Sequence, residues 1–228
     1  MQRQSLFKSL IFLTTSMITL SFTTVAEGEQ GSATRAPQKA AEKEYATVET
    51  TLGTFEIELY QQDAPKTVEN FVRLTQKKFF DGIRFHRVVP GFVIQTGDDK
   101  SKNPSNVKDW GKGGQSIWGK EFEDELNPAA VSFKEGYVKG VVAMANRGPN
   151  TNTSQFFIML ADNPRMPKLY TIFGKVVKGL DVVEKIGEVE IVPVNSPRDG
   201  RPKVDVLVRK VTIRQEGVAA PPAKTGTK

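Results

Sequence analysis

A mainly β domain, its antiparallel sheet closed or strongly curved and two helices laid against it, is predicted by three features of this sequence. Short apolar segments, alternating or continuous, recur between turn-forming residues. Only two stretches, one after Pro65 and one from Leu180 to Gly187, space their apolar residues as a helix does. The helix–strand alternation and phosphate-cradling glycine motif of a nucleotide fold are missing, as is any internal repeat.

The 228 residues suffice for one well-buried domain with tails to spare. Of the net charge of +6, Arg3 and Lys8 supply two from a leader that has no acids. The remainder is mildly basic and lacks the basic stripe interleaved with aromatics that a nucleic-acid binder would carry, so no nucleic-acid partner is expected. Absence of cysteine removes disulfides, thiol nucleophiles and thiolate metal sites together. The single histidine, His86, would have to serve any Ser/His/Asp triad, and no Gly-x-Ser-x-Gly elbow accompanies it.

In chain order, Met1 to Ala26 has two basic residues, an apolar run from Leu10 to Val25 and a small-residue end, which reads as an export signal peptide. An uncleaved anchor is the alternative, disfavoured by the run's shortness and its Ser and Thr content. Export places the mature protein in a periplasm or outside the cell. Residues 27–44 read as a flexible linker, 45–215 as the folded domain and 216–228 as a disordered tail. Phe55, Ile57 and Leu59 alternate with polar residues beyond a turn at Leu52-Gly53, predicting a hairpin with one buried face. Asp63-Ala-Pro65 supplies a cap and an early proline to an amphipathic helix through Leu74. Asp81-Gly82 turns the chain into Phe85–Asp98, where an arginine and a glutamine interrupt an apolar run. Pro90-Gly91 breaks this strand in two, and Arg87, a multi-donor cation among apolar groups, needs a partner that Gln95 can supply.

After Asp98, the polar segment Asp99 to Lys112 is a loop long enough to be mobile or functional. Phe122-Glu-Asp-Glu-Leu126 invites a metal reading, but three consecutive acids diverge and nothing completes a shell, so no metal or other cofactor is expected. Buried strands are predicted at 137–145, at 154–160 and at 171–177, the second presenting Phe156 and Phe157 to opposite faces. A helix ended by Gly187 follows, then an excursion through Pro193, Pro197 and Asp199-Gly200, then a last strand from Val204 to Ile213.

Four blocks, in order, carry a resemblance: Phe85-His-Arg-Val-Val-Pro-Gly-Phe-Val-Ile-Gln95; Gly113-Gly-Gln-Ser-Ile-Trp-Gly119 with Phe122-Glu-Asp-Glu125; Met144-Ala-Asn-Arg-Gly-Pro-Asn-Thr-Asn-Thr-Ser-Gln-Phe-Phe-Ile158; and Phe173-Gly-Lys-Val176. From about Tyr45 to Ile213 the chain resembles the cyclophilin-type peptidyl-prolyl cis-trans isomerases. The resemblance implies a closed eight-stranded antiparallel barrel capped by two helices, and an isomerase that forms no covalent intermediate. Its substrates would be proline-containing peptides and folding exported proteins. It also implies Arg87 as catalytic arginine, with Phe92, Val93, Gln95, Ala145, Asn146, Gln155 and Phe157 around the substrate; Val93 stands where methionine is common. Tyr170 replaces a frequent histidine. The expected tryptophan is absent, its place falling to Arg165 or Met166, so weak cyclosporin binding is expected. A monomer is expected. The competing readings are a non-catalytic proline-binding or chaperone module, and an interaction protein working through its long loop or basic tail.

Overall fold

The computed structural model describes residues 43–216. The expected signal peptide, nearly all of the linker and the tail from residue 217 onward lie outside them. Thirteen elements follow in order: β1 (Lys43–Thr50), β2 (Gly53–Leu59), α1 (Pro65–Gln76), β3 (Arg87–Val89), β4 (Val93–Thr96), α2 (Val131–Glu135), β5 (Val141–Met144), β6 (Phe156–Met159), β7 (Ile172–Lys178), α3 (Leu180–Gly187), β8 (Ile191–Ser196), β9 (Asp199–Pro202) and β10 (Val208–Glu216). The folded part begins at Lys43, two residues before the expected boundary, because Lys43 pairs with Glu216 of β10 as well as leading into the β1–β2 hairpin.

All the ladders are antiparallel and the sheet order is β10-β1-β2-β7-β5-β6-β4-β3-β9-β8. This corrects the closed eight-stranded barrel with two helices: the described residues form ten strands and three helices, and no ladder joins the two ends of that order. The extra strands, β8 and β9, are a hairpin made from the Pro- and Gly-containing excursion, whose prolines and glycine had argued for loop. Elsewhere, the chain leading into β3 meets the chain leading into β10. Gly82 N–H donates to Val208 O (2.8 Å), Val208 N–H to Ile83 O (2.8 Å) and Phe85 N–H to Val206 O (2.9 Å), a few main-chain bonds in place of a ladder.

The helix after Pro65 forms as the sequence predicts, but its cap does not. Ala64 holds the N-cap position without a side-chain bond, and Asp63 instead accepts from the Ser132 N–H at the start of α2 (2.9 Å). The exposed N–H groups of the first turn go to Glu125, whose carboxylate accepts from Lys66 N (3.0 Å) and Thr67 N (2.8 Å). Glu123 pairs with Lys66, and Asp124 accepts from Asn150 N (2.8 Å) and Asn152 Nδ2 (2.7 Å). The three consecutive acids therefore diverge into three separate structural tasks, and no group of residues suited to a metal occurs among the described residues.

Side-chain alternation gives the central strands two buried faces. Ile94, Val142, Met144, Phe156 and Ile158 join Phe71 of α1 and Val183 and Ile186 of α3 in the main core. Val93, Val141, Ala143, Phe157 and Met159 face the other way, into a second cluster with Tyr137 and Ile172. Phe92, Ala145, Met166 and Tyr170 pack on this second cluster. It forms the floor of the site.

Candidate active site

Pro90-Gly91 converts the central stretch into a tight β3–β4 hairpin: Gly91 takes φ 72°, which an L side chain disfavours, and Phe92 N–H donates to Val89 O at 2.9 Å. The three-residue loop Pro90-Gly91-Phe92 sets the register and puts Arg87 directly opposite Gln95. Consequently Nη1 of Arg87 donates to Oε1 of Gln95 at 3.1 Å, the partner expected from sequence. Gln95 Nε2 then donates to Gln155 Oε1 (3.0 Å), and Gln155 Nε2 to the carbonyls of Gly113 (2.8 Å) and Gly111 (3.0 Å). A continuous line of hydrogen bonds thus runs from the guanidinium to the far end of the long loop.

The same hairpin opens onto a cavity of about 660 Å³. Arg87, Phe92, Val93, Gln95, Ala145, Asn146, Phe157 and Tyr170 all line it. Gln155, the ninth residue expected here, stands behind Gln95 and lines a shallower neighbouring hollow with Gly113, Thr151 and Thr153. Tyr170 meets Phe157 edge to face, ring centres 5.5 Å apart, and its main-chain N–H and C=O are both bonded by the Tyr137 hydroxyl. Asn146 donates from its side-chain amide to Leu169 O (2.9 Å) and accepts at Oδ1 from Gly148 N (3.3 Å), which ties the side chain to the neighbouring loops. At the position where a tryptophan is expected, Met166 lines the cavity; Arg165 is not among the lining residues.

Several lining residues were not anticipated. Val107, Lys108, Trp110 and Lys112 come from the long loop, which folds into two short 3-10 turns, Asp99–Lys102 and Val107–Asp109. Asp98 and Asp99 organise it: Asp98 accepts from Lys100 N (2.9 Å) and Gly111 N, Asp99 from Gly114 N (2.7 Å) and Gln115 Nε2 (2.8 Å). Trp110 donates its indole N–H to Asn103 O (3.0 Å). From the β8–β9 hairpin come Val194, Asn195, Gly200 and Arg201.

The most consequential residue missed is Asp199. Its carboxylate takes Nε of Arg87 at 2.9 and 3.2 Å and Nη2 at 2.8 Å, a forked ion pair across 112 positions of sequence. The bonds from Arg87 hold the Asp199 carboxyl below the usual carboxylate range. In sequence Asp199-Gly200 carries only a turn signal; no spacing rule links it to Arg87. Beside the arginine, His86 is buried and neither ring nitrogen has a hydrogen-bond partner within the protein. Burial, reinforced by the neighbouring Arg87 charge, lowers its pKa to about 4, so the ring is neutral at ordinary pH and sits in the wall as an uncharged group.

An apolar floor of Phe92, Val93 and Phe157 with the multi-donor cation Arg87 beside it, and no serine or cysteine among the lining residues, suits binding and polarisation of a neutral amide. Residues 45–213 match the family model described as cyclophilin type peptidyl-prolyl cis-trans isomerase/CLD. A chicken (Gallus gallus) protein named peptidyl-prolyl cis-trans isomerase-like 3 is 44% identical over 167 residues, covering 73% of this chain and 94% of that one. An Aspergillus fumigatus protein named peptidyl-prolyl cis-trans isomerase-like 1 is 41% identical over 169 residues, 74% of this chain and 94% of that one. Among solved structures, a Cryptosporidium parvum cyclophilin-type isomerase crystallised in the presence of the dipeptide Ala-Pro superposes with a TM-score of 0.64 at 29% identity, covering 75% of this chain and 98% of that one.

Proposed function

The chain belongs to the cyclophilin-type peptidyl-prolyl cis-trans isomerase family, and we propose that it accelerates rotation about X-Pro bonds in exported proteins, with Arg87 supplying the decisive hydrogen bond. The single observation that carries this reading is the placement of Arg87 on the wall of the cavity beside its apolar floor of Phe92, Val93 and Phe157.

Rotation about an X-Pro bond is slow because the nitrogen lone pair is delocalised into the carbonyl, giving a barrier of about 18 to 20 kcal/mol. As the amide twists, the lone pair localises on nitrogen and becomes a hydrogen-bond acceptor. An N–H donor aimed at it stabilises the twisted state more than either planar isomer, and dry walls strengthen that bond. Phe92, Val93, Phe157 and Met166 would grip the proline ring, Tyr170 would close one side, and Gln95 would hold the arginine and meet the peptide main chain. The main chain of Asn146, whose side chain is engaged with Leu169, would pair with the substrate backbone. Client proteins in the periplasm or outside the cell follow from the apolar leader at 10–25, and the protein acts on them as a monomer.

The test is the cis-trans exchange of an Ala-Pro peptide followed by NMR with catalytic amounts of protein. Uncatalysed exchange takes about 10 to 100 s. Wild type accelerates it, and Arg87→Ala loses about 100- to 1,000-fold of that acceleration. A wild type that shifts peptide resonances without changing the exchange rate makes the protein a proline-binding module instead.

A further inference from the structure

A guanidinium has five N–H donors fixed in one plane, and the reaction needs a particular pair of them aimed at the twisting amide. In Arg87 three are committed: Nε and one proton of Nη2 to the two oxygens of Asp199, and one proton of Nη1 to Gln95 Oε1. One N–H remains on each terminal nitrogen. A flexible arginine held by Gln95 alone could rotate about the terminal bonds of its side chain; a fork on the Nε–Nη2 edge removes that freedom.

The carboxylate is itself held in place by main-chain register. β9 pairs antiparallel with β3 through Gly200 opposite Val88, which puts Asp199 next to Val89 and diagonal to Arg87 on the same face of the sheet. On its other side β9 packs as closely on β8, where a Cβ on Gly200 would stand 2.1 Å from Val192 O, so glycine is needed for the hairpin to close. Asn195 of β8 donates to Asp199 Oδ1 at 3.2 Å, tying the carboxylate to its own hairpin. The Asp199 side chain is 15% exposed and that of Arg87 34%, and of the two it is Arg87 that lines the cavity.

We propose that Asp199 is a positioning residue for the isomerisation: it locks the plane of Arg87 so that the two free N–H groups face the bound proline. The β8–β9 hairpin is then part of the active-site machinery, acting through the arginine and not by touching substrate. This rests on the reading of the cavity as a prolyl isomerase site.

The experiment follows Ala-Pro exchange by NMR over a range of peptide concentrations, with wild type, Asp199→Asn, Asp199→Glu, Arg87→Ala, the double variant Arg87→Ala/Asp199→Asn, and Arg198→Ala as a control on the exposed turn of the same hairpin. Amide spectra establish that each variant is folded. Asp199→Asn lowers kcat about tenfold while KM stays within about twofold, because the freedom the arginine regains costs orientation and not binding. Asp199→Glu restores part of the loss, Arg198→Ala keeps wild-type turnover, and in the Arg87→Ala background Asp199→Asn has no further effect. An unchanged or faster Asp199→Asn enzyme overturns the proposal, the faster one by showing that the carboxylate sequesters the arginine. An equal loss in the Arg87→Ala background overturns it too, since Asp199 would then be acting on the fold. An inert wild type removes the isomerase reading and this one with it; an active wild type with an indifferent Asp199 removes this one alone.

Discussion

Glu125 caps α1 from 58 positions further along the chain, its Oε2 accepting both the N–H of Thr67 (2.8 Å) and the Thr67 hydroxyl (2.7 Å). Because the helix has no cap of its own, this carboxylate joins the loop carrying Phe122 to the start of the helix that covers the core. Glu125→Ala leaves the first-turn N–H groups unpaired and should cost about 1 to 3 kcal/mol in urea unfolding at pH 7. Ala-Pro exchange under strongly native conditions should be unaffected, since Glu125 lies outside the cavity wall.

Acid should weaken the fold through His86. Its folded-state pKa, about 4, lies below its ordinary value of 6.5, so the unfolded chain binds the proton more readily. The neutral ring's contribution is fully present above pH 6.5, falls as pH drops toward 4 and then levels off, an effect on the order of 3 kcal/mol. Unfolding curves measured between pH 4 and pH 7 should show this slope in wild type and a shallower one in His86→Gln. Parallel slopes would mean the ring finds compensation on protonation.

Gly97→Ala should be among the most disruptive single-methyl changes. Gly97 sits at φ 90°, and an added Cβ would lie 2.2 Å from Ser154 O, while its own carbonyl accepts the Ser154 hydroxyl at 2.6 Å. The exit of β4 and the entry of β6 would have to part, with Gln95 and Gln155 on either side. A loss of about 3 kcal/mol or more in unfolding free energy is expected, accompanied by slower Ala-Pro exchange.

Cyclosporin should bind weakly, since neither candidate for the expected tryptophan's place, Arg165 or Met166, is aromatic, the one that lines the cavity is the flexible thioether of Met166, and the nearby Trp110 has its indole N–H committed to Asn103. Met166→Trp should raise affinity at least tenfold in a calorimetric titration, about 1.4 kcal/mol for each factor of ten. No gain would place the obstacle in the long loop.

The periodic elements were legible in the sequence because their information is local. Pro90-Gly91 announced a break in the strand, which the structure makes the hairpin that sets Arg87 opposite Gln95, and the paired Phe156 and Phe157 announced two faces, one in the main core and one in the cavity wall. Long-range pairings between polar groups leave no such periodic trace. The Asp199 fork, the Glu125 cap and the aspartates under the loop depend on where distant strands come to lie, and each residue read locally as a turn or an exposed acid. The β8–β9 strands were hidden for a related reason: two prolines and a bulge between Pro193 and Ser196 erase the alternation that marks a strand. Met166 could be separated from Arg165 only by seeing which side chain turns inward.

The pairing of Lys43 with Glu216 has a topological consequence. Cα atoms paired across antiparallel strands lie about 5 Å apart, so the entry and exit of the folded unit are effectively one point. The unit is therefore suited to circular permutation: a short link between these residues would close the backbone into a ring, and the ring could be reopened in the exposed stretch at Pro104-Ser105 without cutting a strand. Genetically, the same adjacency makes it a cassette that another protein's surface loop could host without being pried apart.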